Sequence, residues 1–370
     1  MSGVRSVPLI MLGIGGIGRT LIRQLLQQRT HLRRTHALEL PIVALAGSSG
    51  MLTGDPALDE DTVRAILEYG LAVAVAYNDV PEHEQIAFLD SLQERGCEHA
   101  IVIDLTASDH TIPVLLHASA LGHDVVMANK RPLSSSMQNW YDLIGARKRG
   151  QSVLHEATVG AGLPVISTLL GLVDTGDEII SIDACLSGTL NYICSGLEDG
   201  QPFSEAVAAA RLRGYTEPDP RDDLSGVDVA RKLTILAREM GLTLELSDVR
   251  IEGLVPAALR DCGVDAFMAR LPEFDAGMAA TLAAATAAGE VLRYVGRIES
   301  NGKATVGLVR LPRTHAFAHI ALTDNVVRFA TRRYNENPLI VQGPGAGPEV
   351  TAGGVFADLL RLAAYLGANI

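Results

Sequence analysis

Pro8-Leu9-Ile10-Met11-Leu12-Gly13-Ile14-Gly15-Gly16-Ile17-Gly18 reads as a short apolar strand that breaks into a glycine turn and then opens a helix. The glycines fit the spacing G-x-G-x-x-G. In that pattern Gly13 permits the tight turn, Gly15 lets the backbone approach a pyrophosphate, and Gly18 allows the helix to pack on the strand. The helix N-terminus adds amide donors and a partial positive charge. A glycine turn with no ligand is the bland alternative. The place of the run, after the first strand of a βαβ pattern, favours a dinucleotide site.

The flanking chain extends this reading. Short β-branched runs at Pro41 to Ala46, Ala100 to Leu105 and Asp124 to Ala128 alternate with helical patterns at Gly16 to Leu26 and Thr111 to Leu121. That alternation predicts a parallel sheet covered by helices. Between Gly50 and Tyr77 an insertion carries two weak helical stretches. From Val153 strands and long helices no longer alternate, and Val291 to Val341 is rich in β runs. The expected fold is an α/β Rossmann-type dinucleotide-binding domain over residues 1–150, completed by about 341–370. An α+β catalytic and dimerisation domain is expected over 151–340.

The 370 residues include 48% hydrophobic and 20% charged side chains, the balance of a globular chain with room for two domains. A net charge of −12 argues against nucleic-acid or anionic-membrane partners, which need a basic surface. Cys97, Cys185, Cys194 and Cys262 show no C-x-x-C pair and no metal-ligand spacing, and read as buried reduced thiols. No leader-like start or membrane-span-length apolar run is found, so the expectation is a cytoplasmic protein.

Several loops carry polar groups at the carboxyl ends of strands, where open α/β sheets bind ligands. Thr106 is a candidate cofactor contact, although capping of the next helix by Thr106 or Ser108 fits equally well. Lys130, in Ala128-Asn129-Lys130-Arg131-Pro132, reads as a ligand contact or a solvated loop cation. The tip of the second strand holds Ser48 and Ser49 instead of an acid or an arginine, which leaves NAD and NADP both open. Glu156, in His155-Glu156-Ala157-Thr158-Val159-Gly160-Ala161-Gly162-Leu163-Pro164, stands among small residues whose carbonyls suit a hard cation. Spacing alone favours a helix-capping role for it. Ser187-Gly188-Thr189-Leu190-Asn191-Tyr192 follows a strand and can begin a helix with its amides toward a carboxylate. Gly343-Pro344-Gly345-Ala346-Gly347 can form a second glycine turn.

The run Gly214-Tyr215-Thr216-Glu217-Pro218-Asp219-Pro220-Arg221-Asp222-Asp223-Leu224-Ser225-Gly226-Val227-Asp228-Val229-Ala230-Arg231-Lys232 crowds carboxylates ahead of a helix. Asp228 and Lys232, four apart, share one helix face. By spacing alone they read as an exposed surface pair, worth only about 0.3–0.5 kcal/mol.

Taken in order, these motifs resemble homoserine dehydrogenase over nearly the whole chain, in a short form without aspartate kinase or ACT domains. The resemblance implies reversible NAD- or NADP-dependent hydride transfer between L-homoserine and L-aspartate 4-semialdehyde, in threonine, methionine and isoleucine synthesis. It implies that Lys232 is the acid/base, with Lys130 a second lysine at the reacting oxygen. Substrate contacts fall on Thr189, Tyr215, Glu217, Asp223 and Asp228. Cofactor contacts fall on Gly13, Gly15, Gly16, Ile17, Gly18, Thr106, Lys130, Gly214 and Gly347. A structural sodium ion is implied at Glu156, Val159, Ala161 and Leu163, and a homodimer as the assembly. Aspartate-semialdehyde dehydrogenase, the nearest competitor, needs a thiol nucleophile that no cysteine here supplies. A sugar dehydrogenase usually has Glu-Lys-Pro where this chain has Asn129-Lys130-Arg131-Pro132. A nicotinamide-sensing protein without catalysis leaves the carboxylate and lysine positions free to vary, whereas this chain fills each of them.

Overall fold

The computed structural model describes residues 4–47, 50–70, 82–94, 97, 99–145, 152–320, 323–368 and 370. Ser48, Ser49 and the end of the Gly50 to Tyr77 insertion lie outside them. Two compact units are formed, one from Met1–Gly162 with Gly347–Ile370 and the other from Leu163–Ala346.

The strands of the first unit are β1 (Arg5–Ser6), β2 (Leu9–Leu12), β3 (Leu38–Glu39), β4 (Ile42–Gly47), β5 (Gly50–Thr53), β6 (Ile101–Asp104), β7 (Asp124–Met127) and β8 (Val153–Leu154). β1 and β3 form a small parallel ladder. The others form one sheet in the order β5-β4-β2-β6-β7-β8. Its pairings are parallel except β4 with β5. The chain therefore leaves β2 outward in one direction and returns to its other side through β6. This reversal places the loops after β2 and β6 side by side, at the switch point where such sheets bind ligands. The insertion departs from the helical reading at its start, because Gly50–Thr53 is an antiparallel edge strand; a helix follows at Glu60–Tyr69.

The helix Gly16–His36 runs well past the expected end at Leu26. Leu25 and Leu32 continue its buried stripe, and Arg33, Arg34 and His36 in the last turn complement the helix dipole. Its Leu21, Ile22 and Leu25 share a core with Leu9, Met11, Ile101, Ile103 and Val126 of the sheet. Val355, Leu359 and Leu362 of the last helix, Pro348–Tyr365, complete that core. Full burial of each such side chain contributes roughly 1.5–3 kcal/mol.

The second unit contains β9 (Ile179–Cys185), β10 (Arg250–Ile251), β11 (Glu290–Glu299), β12 (Ala304–Pro312), β13 (Asp324–Thr331) and β14 (Leu339–Pro344). Their order is β10-β12-β11-β9-β13-β14, antiparallel except for the pair β10 and β12. Helices Val165–Asp174, Gly188–Glu198, Phe203–Leu212, Val227–Glu239 and Asp275–Ala287 accompany it. Among the described residues no helix is long and apolar enough to cross a membrane. Cys185 and Cys194 are buried free thiols; burial pushes Cys194 up to about 12 and Cys185 higher still. Cys97 and Cys262 are only half-buried.

Candidate active site

In the first unit the glycine turn has the local geometry its spacing implies. Gly13 has φ +96°, and a Cβ there would stand 2.9 Å from the Leu105 carbonyl carbon and 3.0 Å from Thr106 N. A side chain is excluded on both counts. A Cβ on Gly18 would meet the Gly13 oxygen, so this glycine lets the helix approach the turn. Gly15 differs, since nothing lies within 4 Å of its added Cβ. No side chain caps the helix that starts at Gly16, and no acid occupies its first turn. Open space above uncapped amides fits a pyrophosphate. Gly347, with φ +122°, precedes the last helix, whose Pro348 Cγ lies 3.7 Å from the Cβ position of Gly16. Ile17 is half-buried against the core.

Thr106 and Lys130 follow the adjacent strands β6 and β7. Thr106 donates through its backbone N (2.9 Å) and hydroxyl (2.7 Å) to Asp104 Oδ1. Asn129 Nδ2 donates to Asp104 Oδ2 at 2.9 Å and to the Ser108 carbonyl at 2.7 Å. Its Oδ1 accepts from Arg131 N at 3.1 Å. The backbone of Lys130 is thus bracketed by two anchored neighbours. Asp104 was not singled out by sequence reasoning; its only signal is a carboxylate at the end of an otherwise apolar strand.

Glu156 is buried in a short 3-10 turn, Glu156–Thr158. Its carboxylate accepts from Arg361 at 3.1 Å, and its N–H donates to Asp358 Oδ2 at 2.9 Å. Gly160 (φ +83°) and Ala161 (φ +56°) then occupy consecutive left-handed positions, an uncommon state for alanine. Among the described residues no group of three or more His, Cys, Asp or Glu side chains forms a metal site.

In the second unit the acidic run becomes a loop, a short helix Pro220–Leu224 capped by Asp219, and the helix Val227–Glu239. Gly226, with φ +75°, starts the latter. A Cβ there would overlap the Tyr294 hydroxyl, which donates to the Glu252 carbonyl at 3.0 Å. Lys232 then falls on the buried face and is 9% exposed. Its Nζ donates to the Leu186 carbonyl at 2.6 Å and stands 2.9 Å from Asp228 Oδ2. The pair is therefore half-internal: the lysine is enclosed while the Asp228 side chain is 44% exposed. A buried ammonium is costly unless paired, and here both partners are supplied.

Leu186 lies just beyond β9, three residues before Thr189. Ser187 caps the helix Gly188–Glu198 by accepting from Leu190 N at 3.2 Å. Thr189 is buried, and its hydroxyl lies within hydrogen-bond distance of the Tyr215 carbonyl and of Asp223 Oδ1, the latter at 3.0 Å, which share its one proton. Asp223 Oδ2 accepts from Glu217 N at 2.8 Å. Burial raises the pKa of Asp223, against the pull of the Glu217 and Thr189 hydrogen bonds. The Asp223 carboxylate thus joins Thr189 to Glu217, and the Thr189 hydroxyl ties in Tyr215. The Tyr215 ring meets Tyr192 edge-on at 5.2 Å, and the Arg213 guanidinium covers the Tyr192 ring at 5.5 Å. Gly214, exposed at φ +70°, directly precedes Tyr215.

Two family models match the chain: "Homoserine dehydrogenase, NAD binding domain" over residues 13–156 and "Homoserine dehydrogenase" over 164–360. The homoserine dehydrogenase of Emericella nidulans is 42% identical, with 95% of this chain and 97% of that protein aligned. The chloroplastic bifunctional aspartokinase/homoserine dehydrogenase 2 of Zea mays is 43% identical over 97% of this chain, which spans 38% of that longer protein. A crystal structure of a Candida auris protein of unknown function superposes with a TM-score of 0.86 at 34% identity, covering 98% of this chain and 99% of that one. A glycine turn opening a helix in one unit, a paired internal lysine in the other and these two family matches lead to one assignment: the chain belongs to the homoserine dehydrogenase family.

Proposed function

We propose that this chain interconverts L-homoserine and L-aspartate 4-semialdehyde reversibly, in threonine, methionine and isoleucine synthesis, with Lys232 as acid and base. The observation that carries the reading is the enclosed Lys232 ammonium between the Leu186 carbonyl and Asp228. When bound, the nicotinamide supplies the hydride acceptor for alcohol oxidation and the donor for aldehyde reduction. Lys232 in its charged form stabilises the oxygen that gains negative charge during reduction and gives it a proton. In its neutral form it takes that proton back during oxidation. Glu217 and the exposed edge of Asp228 hold the substrate ammonium, while amides at the start of the helix Gly188–Glu198 meet its carboxylate. Thr189 and Asp223 shape this pocket, Tyr215 lines it, and Lys130 serves as the second lysine at the reacting oxygen.

The same reading assigns Gly13, Gly15, Gly16, Ile17, Gly18, Thr106, Lys130, Gly214 and Gly347 to the dinucleotide, NAD or NADP. It divides the chain into a cofactor domain, 1–150 with 341–370, and a catalytic and dimerisation domain, 151–340. A sodium ion at Glu156, Val159, Ala161 and Leu163 is part of the proposal. The left-handed pair Gly160–Ala161 supports it, and the engagement of the Glu156 carboxylate with Arg361 gives the ligand role to backbone carbonyls. A cytoplasmic homodimer completes it. Arg297, Asp183, Arg328 and Ile340 stand in one row across four neighbouring strands, with Ile340 43% exposed, and this sheet face is the one assigned to the second copy.

The test is a spectrophotometric assay with L-homoserine and each of NAD and NADP. Reduced dinucleotide is expected with at least one. Its absence with both, in protein that still binds dinucleotide, would replace this reading by a nicotinamide-sensing protein without catalysis.

A further inference from the structure

Asp104 is fully buried, yet its carboxylate accepts four hydrogen bonds from side chains and backbone on three segments. Thr106 supplies its N–H and hydroxyl at 2.9 and 2.7 Å, Thr111 its hydroxyl at 2.6 Å, and Asn129 its amide at 2.9 Å. The Thr106 N–H and the Asn129 amide can only donate, one to each carboxylate oxygen, and these bonds together with the two hydroxyls oppose the rise in pKa that burial imposes on Asp104. The Asp104 carbonyl adds two further bonds, from Ala128 N at 2.9 Å and Asn129 N at 3.3 Å. One residue therefore ties the loop after β6 to the loop after β7.

We propose that Asp104 is a positioning residue for the dinucleotide, its carboxylate fixing the loops that present Thr106 and Lys130. The inference rests on the cofactor reading above. Thr106 is held directly; Lys130 is held through Asn129, whose amide bonds Asp104 on one side and Arg131 N on the other. Thr111 binds the same carboxylate from the N-cap of the next helix and takes a longer bond from Asn129 Nδ2 at 3.3 Å, but its loss leaves the Thr106 and Asn129 bonds to Asp104 in place, so it is the variant that separates stability from positioning.

The experiment measures dinucleotide Kd by fluorescence titration without substrate, alongside thermal unfolding and the two KM values. Asp104→Asn puts a donor among donors and is expected to weaken dinucleotide binding about tenfold while the KM for homoserine stays within about twofold. Thr111→Val is expected to lose stability with Kd unchanged. Wild-type Kd in folded Asp104→Asn, or equal weakening by Thr111→Val, would overturn the proposal. If Asp104→Asn does not fold, Asn129→Ser carries the test: weaker binding supports the proposal and unchanged binding overturns it. A wild-type protein that binds no dinucleotide removes the cofactor reading itself, a result distinct from any variant's.

Discussion

Lys232 Nζ stands 2.9 Å from Asp228 Oδ2, one turn away on the same helix, but only the lysine is enclosed. This asymmetry separates the pair from an ordinary surface ion pair. The lysine is fixed to the Leu186 carbonyl as well, while the Asp228 side chain stays 44% exposed.

Lys232→Ala is expected to lower kcat by about 10²–10⁴-fold, the range for loss of a positioned acid/base. Dinucleotide Kd should not change. Steady-state rates combined with a dinucleotide titration check this, and near-normal turnover would remove Lys232 from the chemistry.

Gly13 and Gly15 of the turn should respond differently to alanine. Gly13→Ala forces a left-handed alanine and is expected to cost roughly 1–2 kcal/mol of stability before any clash with Leu105. Gly15→Ala, with φ −76° and nothing within 4 Å, should change stability by less than about 1 kcal/mol yet weaken dinucleotide binding at least about tenfold. Denaturant midpoints and binding isotherms of the two variants are the measurement; a Gly15→Ala protein that binds normally contradicts the cradle.

Asp223→Asn is expected to raise the KM for homoserine about tenfold, with the KM for dinucleotide unchanged, because the amide keeps a single acceptor oxygen and sets its NH2 against either the Thr189 hydroxyl or the Glu217 N–H. A double-mutant cycle with Thr189→Val should return a coupling of about 0.5–3 kcal/mol in homoserine binding. Additive effects would show that the two residues act separately.

Acid stability should depend on His123, which is fully buried. Burial lowers its pKa to about 4. Its Nδ1 accepts from Ala100 N at 3.2 Å, so protonation would set two donors against each other. The unfolded chain takes up that proton near pH 6.5. The folded-state contribution is therefore full above pH 6.5 and is lost as the pH falls toward 4. His99 acts in the opposite sense, since its hydrogen bond to Asp124 raises its pKa. Unfolding free energies from pH 7 to 4 are thus compared between wild type and His123→Gln, whose curve should be flatter over that window. Parallel curves would exclude His123 as the source.

The strand, glycine turn and helix at Pro8 to Gly18 were legible because each step is local: apolar run, φ-permissive residues, amphipathic stripe. Asp228 and Lys232 were legible as a pair for the same reason, but not as an internal one. The internal bond of Lys232 goes to Leu186, which arrives from just beyond β9, 46 residues earlier in the chain. Gly50–Thr53 was missed as a strand because its pairing with Ile42–Gly47 defines it, and its own four residues carry little alternation. Asp104 was missed because its partner Asn129 lies 25 residues away and becomes a neighbour only when β6 and β7 pair. The Glu156–Arg361 pair spans 205 residues and leaves no local trace.

The return of Pro348–Tyr365 to the first unit sets an order of assembly. Leu21, Ile22 and Leu25 are made early, but Val355, Leu359 and Leu362, which cover them, are translated only after all of Leu163–Ala346. On the ribosome the nucleotide-binding half must wait with a greasy flank uncovered while the later half, contiguous in sequence, can already close. A nonsense mutation near residue 347 would accordingly wreck the domain encoded first and spare the one encoded last.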